Sequence, residues 1–181
     1  MPQPPLPALP GGPAGAWLER EAGHLLPVHY HHVVFTPPAA LADLARRRPR
    51  LVYHLLFQAA GASTLALAAD PKYLGAQVGL GAVLHTWGQT LTLHPHLQVL
   101  ATGGGLSWNA RGAVDEVPRW VSCRPGFFLP VRVLSRLFRG KYLAGLRPAL
   151  AAGPWPVAPG LERPEQLAGW LAALAGQGWV V

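Results

Sequence analysis

Two histidines and a glutamine occupy alternate positions in the segment HPHLQVLATGGG, and side chains of these types can bind metal ions. The segment after Pro95 alternates in polarity and favours a β-strand, with His96 and Gln98 on one face about 6.6 Å apart at ~3.3 Å per residue. His94 joins them if the strand begins before Pro95. Two such imidazoles can reach one divalent ion, because metal–nitrogen bonds are about 2.0–2.1 Å long and the side chains supply the remaining reach. A metal ion in a cleft could then polarise a phosphodiester, as DNA strand cleavage requires.

The same residues also allow an interpretation in which they bind no metal and have no catalytic role. His94 and His96 could be ordinary polar residues on the wet face of an edge strand, because proline within a sheet is typical of edges and Pro95 lies between them. The spacing alone therefore leaves a metal site and a solvated strand face open.

Arginine outnumbers lysine in a chain whose formal charge is +7. Arg132, Arg136 and Arg139 are spaced at i, i+4 and i+7, so a helix would place them on one face, and the planar guanidinium suits phosphate. A solvated helix face is the alternative. The same two interpretations, phosphate binding or a solvated helix end, are open for the run of Arg46, Arg47, Arg48 and Arg50.

The pattern of apolar residues predicts strands alternating with groups of helices. The predicted strands cover residues 29–36, 77–87, 96–102 and 120–123. Helices are predicted over residues 38–69 with a break at Arg48 and Pro49, from Pro130 to about residue 146, and from Pro164 to Gly176. The glycines at 103–105 are expected to end the third strand, and the final GWVV resembles the start of another.

These elements predict an α+β fold, in which an antiparallel sheet carries the His96 strand at its centre and helices pack on one face. The length of 181 residues supports one domain, over residues 16–181, after a disordered Pro- and Gly-rich lead-in over residues 1–15.

Composition excludes several classes of protein. A single cysteine rules out a disulfide framework and fits a reducing cytoplasm, and no apolar run free of glycine, proline and charge is long enough for a membrane span. The glycines at 103–105 lack the lysine and hydroxyl residue of a phosphate-binding loop, so no nucleotide cofactor is expected. We expect neither a membrane partner nor a signal peptide.

Several segments in the same order resemble one family of enzymes. They are HYHHVVFTPP, HTWGQTLTLHPHLQVLATGGGLS, WVSCRPGFFLPVRVLSRLFRGKYLAGL and GWVV. Together, over residues 17–181, they resemble the transposases of the insertion sequence ninety-one family, the two-tyrosine group of HUH nucleases. The resemblance implies a palm-like HUH nuclease core and a metal held by two histidines that flank a hydrophobic residue.

The chain departs from that family at the metal motif. The matching positions are His96, Leu97 and Gln98, so Gln98 stands where the family has a histidine. An amide oxygen can still coordinate Mg or Mn, whereas ions that seek nitrogen bind it less well. His85 and Gln89 match a motif just ahead of this strand, and either could be a further ligand. Alternatively, His85 is a strand-end histidine bonded to backbone.

A second departure concerns the nucleophile. The family attacks DNA with two tyrosines on a helix beyond the WVV strand, and the chain ends at Val181. None of its four tyrosines matches those positions, and Tyr142 falls on an apolar helix stripe, where we expect it in the core. The family's amino-terminal zinc-binding domain is replaced by a Pro-rich stretch.

We therefore expect a transposase truncated at both ends, which binds single-stranded DNA and Mg or Mn through His94, His96 and Gln98 but does not nick DNA. A nucleic-acid-binding module without catalysis, using Arg132, Arg136 and Arg139, is the first alternative. A non-functional remnant of a mobile element is the second.

Overall fold

A computed structural model describes residues 20, 23, 25–87, 93–107, 117–152, 160–161 and 163–181. The lead-in predicted over residues 1–15 and the candidate ligand Gln89 lie outside these ranges. The strands of the described part are β1 (Tyr30–Phe35), β2 (Ala76–Trp87), β3 (Leu93–Ser107) and β4 (Trp120–Ser122). The helices are α1 (Ala42–Arg47), α2 (Pro49–Ala69), α3 (Val131–Ala151) and α4 (Pro164–Gly176), and a 3-10 turn covers Ala39–Leu41.

The four strands form one antiparallel sheet with β3 at its centre. β2 pairs along one side of β3, and β1 and β4 pair in tandem along the other side. β1 pairs with β3 from Tyr30 opposite Thr102 to Phe35 opposite Leu97, and β4 takes over from Gly104 to Leu106. The predicted central position of the His96 strand is therefore confirmed.

The three glycines that were expected to end β3 instead lie inside it, so that prediction was wrong. Strands press on both sides of this stretch: a Cβ on Gly103 would lie 2.8 Å from the carbonyl oxygen of His29, and one on Gly105 would overlap the carbonyl of Gln77. Glycine is therefore required here by the close approach of neighbouring backbones.

The helices follow the predicted pattern with one difference. The break at Arg48 and Pro49 separates α1 from α2, and α4 has the predicted bounds. α3 continues to Ala151, past the predicted end near residue 146, although Pro148 lies inside it. Leu146 and Leu150 are both fully buried, so burial of the apolar stripe offsets the cost of the proline and the helix continues past it.

The four described helices share one hydrophobic core with one face of the sheet, which makes the fold α+β, as predicted. An aromatic cluster lies at the centre of the core. The ring of Phe138 is 5.1 Å from Phe35 and 5.4 Å from Trp179, and Tyr142 is 5.2 Å from Trp179. Each of these side chains is at most 6% exposed. Tyr142 is thus a core residue, as its helical spacing indicated.

The final residues of the chain are tied to both layers. The carbonyl oxygen of Trp179 accepts from Ser135 Oγ at 2.6 Å, and Val180 exchanges two backbone hydrogen bonds with Thr36, at 2.9 and 3.1 Å. Val180 therefore begins to extend the sheet beyond β1, as the GWVV motif indicated.

Among the described helices, α2 alone is long and apolar enough for a membrane span by length and composition. Half of its most apolar stretch is buried inside the protein, where α2 packs on α3 and β2. Core helices of globular domains have the same pattern, so α2 is weak evidence for a membrane.

Candidate functional site

The alternation predicted for the centre of β3 is present. Leu97 and Val99 are 1% and 2% exposed and face the helices. His94, His96 and Gln98 are half-buried and project from the opposite face, which the described helices leave open. The three candidate metal ligands therefore share one face of the sheet.

Pro95 does not make β3 an edge strand. β3 begins at Leu93, two residues before the proline, and the pairing of β1 ends at Leu97. On the other side, the register between β2 and β3 shifts between His85 and Trp87, beside Pro95. The missing N–H of Pro95 thus falls where the ladder is irregular, and His94 still joins the strand.

His96 lies at the centre of a group of three imidazoles. Its ring centroid is 5.2 Å from that of His85, its direct partner on β2, and 6.0 Å from that of His94. His96 Nδ1 is 3.0 Å from the carbonyl oxygen of His94. A carbonyl only accepts, so Nδ1 carries the proton and the neutral ring has its lone pair on Nε2. This is the usual arrangement of a metal-binding histidine.

Gln98 is hydrogen-bonded to the third histidine. Its Nε2 lies 2.9 Å from His85 Nδ1. With the amide nitrogen as donor, Nδ1 of His85 accepts and the Gln98 oxygen stays free for another partner. His85 is therefore bonded to a side chain, and not to backbone as the alternative for this residue held.

These contacts define what the site could hold. Within the described ranges, no three His, Cys, Asp or Glu side chains meet as a ligand group. A metal ion would therefore need the Gln98 amide oxygen as its third protein ligand, beside His94 and Nε2 of His96. Such a set of two nitrogens and one oxygen fits a divalent ion whose other ligands are water or substrate oxygens.

Sequence reasoning missed one histidine of this face. His32 is exposed and lies opposite Leu100 in the β1–β3 register, on the face that carries Gln98. Val83 and Leu100, which are 55% and 40% exposed, add apolar surface beside Gln98. The alternation of HYHHVVF, in which Tyr30, His32 and Val34 share a face, was the signal that could have found His32.

The arginines of α3 lie in the helical layer, on the other side of the sheet from His96. Arg132 and Arg136 are exposed, whereas Arg139 donates to the carbonyl oxygen of Ala175 at 3.1 Å, in the last turn of α4. The structure therefore divides the predicted arginine face into two exposed cations and one that holds a helix end.

In the other arginine run, three side chains are exposed at a helix end and Arg48 is half-buried. Arg46 pairs with Asp43 in the adjacent turn, and Arg47 and Arg50 are exposed.

None of the four tyrosines is placed to attack DNA beside His96. Tyr142 is fully buried, and burial raises the pKa of its phenol. Tyr30 is on the open face by register, but it lies opposite Thr102, about 13 Å along β3 from Gln98. Its hydroxyl accepts from the backbone N–H of Leu26 at 2.8 Å. Tyr53 and Tyr73 are outside the sheet, at α2 and just after it.

Several known proteins are similar to this chain in sequence. Residues 79–181 match the Y2_Tnp family model, described as "Putative transposase". The chain is 50% identical over 137 residues to "Putative transposase y4qJ" of Sinorhizobium fredii, covering 76% of this chain and 33% of that protein. It is 37% identical over 90 residues to "Transposase for insertion sequence element IS801" of Pseudomonas savastanoi pv. phaseolicola, covering 50% of this chain and 21% of that protein. No solved structure matches.

The family model and these relatives place the α+β domain in the transposase class. The chain belongs to the Y2_Tnp transposase family, because the family model covers more than half of it. The resemblance noted in the sequence is thereby confirmed. The chain spans about a third of the length of the first relative and a fifth of the second.

Proposed function

We propose that this chain forms part of a DNA transposase and binds single-stranded DNA together with Mg or Mn at the open face of its sheet. The observation that carries the proposal is the grouping of His94, His96 and Gln98 on one face of β3, with ring centroids of the two histidines 6.0 Å apart. A divalent ion held there would stabilise charge on a phosphodiester oxygen.

The residues of the site have distinct roles in this proposal. His96 binds the ion through Nε2, because the carbonyl of its own strand fixes the other nitrogen as donor. Gln98 supplies an oxygen, and its bond to His85 orients the amide. Arg132 and Arg136 contact DNA phosphates outside the site.

We further propose that the chain by itself does not nick DNA, since no tyrosine hydroxyl stands beside His96. Incubation with single-stranded DNA and Mn, followed by denaturing electrophoresis, tests this proposal. We expect neither cleaved DNA nor a covalent adduct, and an adduct would contradict it.

Metal-linked DNA binding is tested by fluorescence anisotropy of a labelled single strand, with Mn and with EDTA. We expect EDTA and His96→Ala each to weaken binding by on the order of tenfold, which corresponds to about 1.4 kcal/mol. His54→Ala is the matched control, because His54 is an exposed histidine on α2, far in sequence from the site.

A nucleic-acid-binding module without metal is the second candidate function. The absence of a three-residue ligand group in the described ranges favours it, as do the exposed Arg132 and Arg136. It predicts tight, salt-sensitive DNA binding that neither EDTA nor His96→Ala changes. A third possibility, a remnant that does not fold, requires the absence of a cooperative thermal unfolding transition.

A further inference from the structure

A pocket of about 460 Å³ lies where β1 and β4 meet along one side of β3. The pairing partner of β3 changes from the β1 segment to the β4 segment at Gly103. Its N–H donates to the His29 carbonyl at 2.6 Å, and its carbonyl accepts from Cys123 N at 3.0 Å. Gly103 adds no side chain, so this part of the wall stays open. The volume is within the range of small-molecule sites.

The side chains around the pocket combine aromatic rings with a cation. Trp120, which is 41% exposed, and His31 both line the pocket, and the His31 ring stacks on Phe128 outside it with centroids 5.0 Å apart. Arg124 is exposed, and among the described residues no aspartate or glutamate lines the pocket. This chemistry suits a flat, neutral ring attached to an anion, and it disfavours a cationic ligand.

A tight turn presents Arg124 to the pocket. The N–H of Phe127 donates to the carbonyl of Arg124 at 3.0 Å, and Pro125 and Gly126 stand between them. Gly126 has a φ of +69°, and proline followed by glycine with positive φ is the pattern of a type II turn. The backbone that carries Arg124 is therefore fixed before a ligand arrives.

We propose that this pocket binds one unpaired base of single-stranded DNA, stacked on Trp120, with Arg124 on the adjacent phosphate. The inference rests on the proposed function, because it takes DNA as the ligand. The pocket is separate from the His96 site: Gly103 lies about 17 Å beyond Gln98 along β3. One strand of DNA could therefore be held at two points.

Affinity for oligothymidylate tests the pocket when it is compared with affinity for a duplex. We expect Trp120→Ala to weaken single-strand binding by about 5- to 150-fold, the range for stacking of one base on an aromatic ring, and to leave duplex binding unchanged. Trp120→Phe should restore most of the loss. Arg124→Ala should weaken single-strand binding, whereas Arg147→Ala, which removes an exposed arginine of α3, should not.

Cys123 reports on the pocket directly, because it is the single cysteine of the chain and lines the cavity. Burial raises the pKa of its thiol, so labelling by a maleimide should be slow and should accelerate with pH. Oligothymidylate should slow the labelling further, and inorganic phosphate should not.

The outcomes separate the two proposals. Unchanged single-strand affinity in a folded Trp120→Ala variant, or labelling of Cys123 that DNA does not slow, would overturn the pocket and leave the proposed function standing. Failure of the unaltered chain to bind any single strand would overturn both. Loss of duplex binding to the same extent in Trp120→Ala would show that the pocket does not select an unpaired base.

Discussion

At the scale of the residue, Gln98 sets how strongly the metal site that we propose could hold an ion. Two imidazoles and one amide oxygen are a weak set for ions that prefer nitrogen, and the amide also bonds His85. An imidazole at this position would project from the same face, because its neighbours Leu97 and Val99 fix the alternation.

We expect Gln98→His to raise the affinity for Mn by on the order of tenfold, equivalent to about 1.4 kcal/mol, and to shift preference from Mg toward ions that seek nitrogen. Isothermal titration with Mn, Zn and Mg measures both effects. Adding His96→Ala to this variant should remove the gain. Equal Mn affinity in Gln98→His and the parent chain would show that position 98 does not face the ion.

The candidate ligands could be found from the sequence because strand alternation is a local rule. It placed His96 and Gln98 together without knowledge of the other strands. It could not give the bond between Gln98 and His85 or the presence of His32 on the same face, since both depend on the register of β3 with its neighbours. That register is set by long-range packing.

At the scale of the element, β3 is unusual in carrying three consecutive glycines through a paired region. Glycine commonly interrupts strands, which is why the sequence predicted an end there. The strand nevertheless continues through the glycines. β1 and β4 pair one after the other on one side and β2 pairs on the other, and only glycine leaves room for their carbonyls.

Gly105→Ala should lower the free energy of unfolding by about 1–3 kcal/mol or more, because the new methyl group would overlap the backbone of Gln77. Urea denaturation measures the change. Gly140→Ala is the matched control: this helical position has no atom near a new Cβ, so the substitution should stabilise by about 0.5–1 kcal/mol. If Gly105→Ala left stability unchanged, β2 and β3 would have to be more widely spaced in solution than the close approach of Gln77 to Gly105 requires.

Arg136 and Arg139 belong to the same helix, but we expect their replacement to affect different properties: DNA binding for Arg136 and stability for Arg139. Arg139→Ala removes the bond to Ala175 at the carboxyl end of α4, and should cost about 0.5–2 kcal/mol of stability. Arg136→Ala should leave stability within about 0.5 kcal/mol. It should also lower the slope of log affinity against log salt for single-stranded DNA by about 0.7, the value for one phosphate contact.

Thermal denaturation and salt titrations of the two variants make the comparison. An unchanged salt slope in Arg136→Ala would remove this residue from the DNA surface. A stable Arg139→Ala would mean that the end of α4 is held by other contacts.

At the scale of the whole molecule, the aromatic cluster joins the sheet, α3 and the last residues of the chain. Trp179 contacts Phe138 and Tyr142, and its Nε1 donates to the carbonyl oxygen of Leu174 at 3.0 Å. Trp179 is only 6% exposed although it lies two residues from Val181. The sequence suggested a strand here, but it gave no sign that this tryptophan completes the core.

Trp179→Ala should reduce the free energy of unfolding by about 3–5 kcal/mol, through loss of buried area and the cavity that remains. Urea denaturation followed by circular dichroism measures it. Val180→Ala, whose side chain is 58% exposed, should change stability by about 0.5 kcal/mol or less. Similar losses for both variants would show that the backbone pairing with Thr36, and not the indole, holds this segment.

The pairing of Thr36 with Val180 joins two segments that are synthesised at very different times. β1 is synthesised long before Trp179 and Val180, so Thr36 has no pairing partner until most of the chain has been made. Unpaired strand edges are prone to aggregation, and within the described residues the outer edge of β1 stays unpaired, since Val180 pairs only with Thr36, just after the strand.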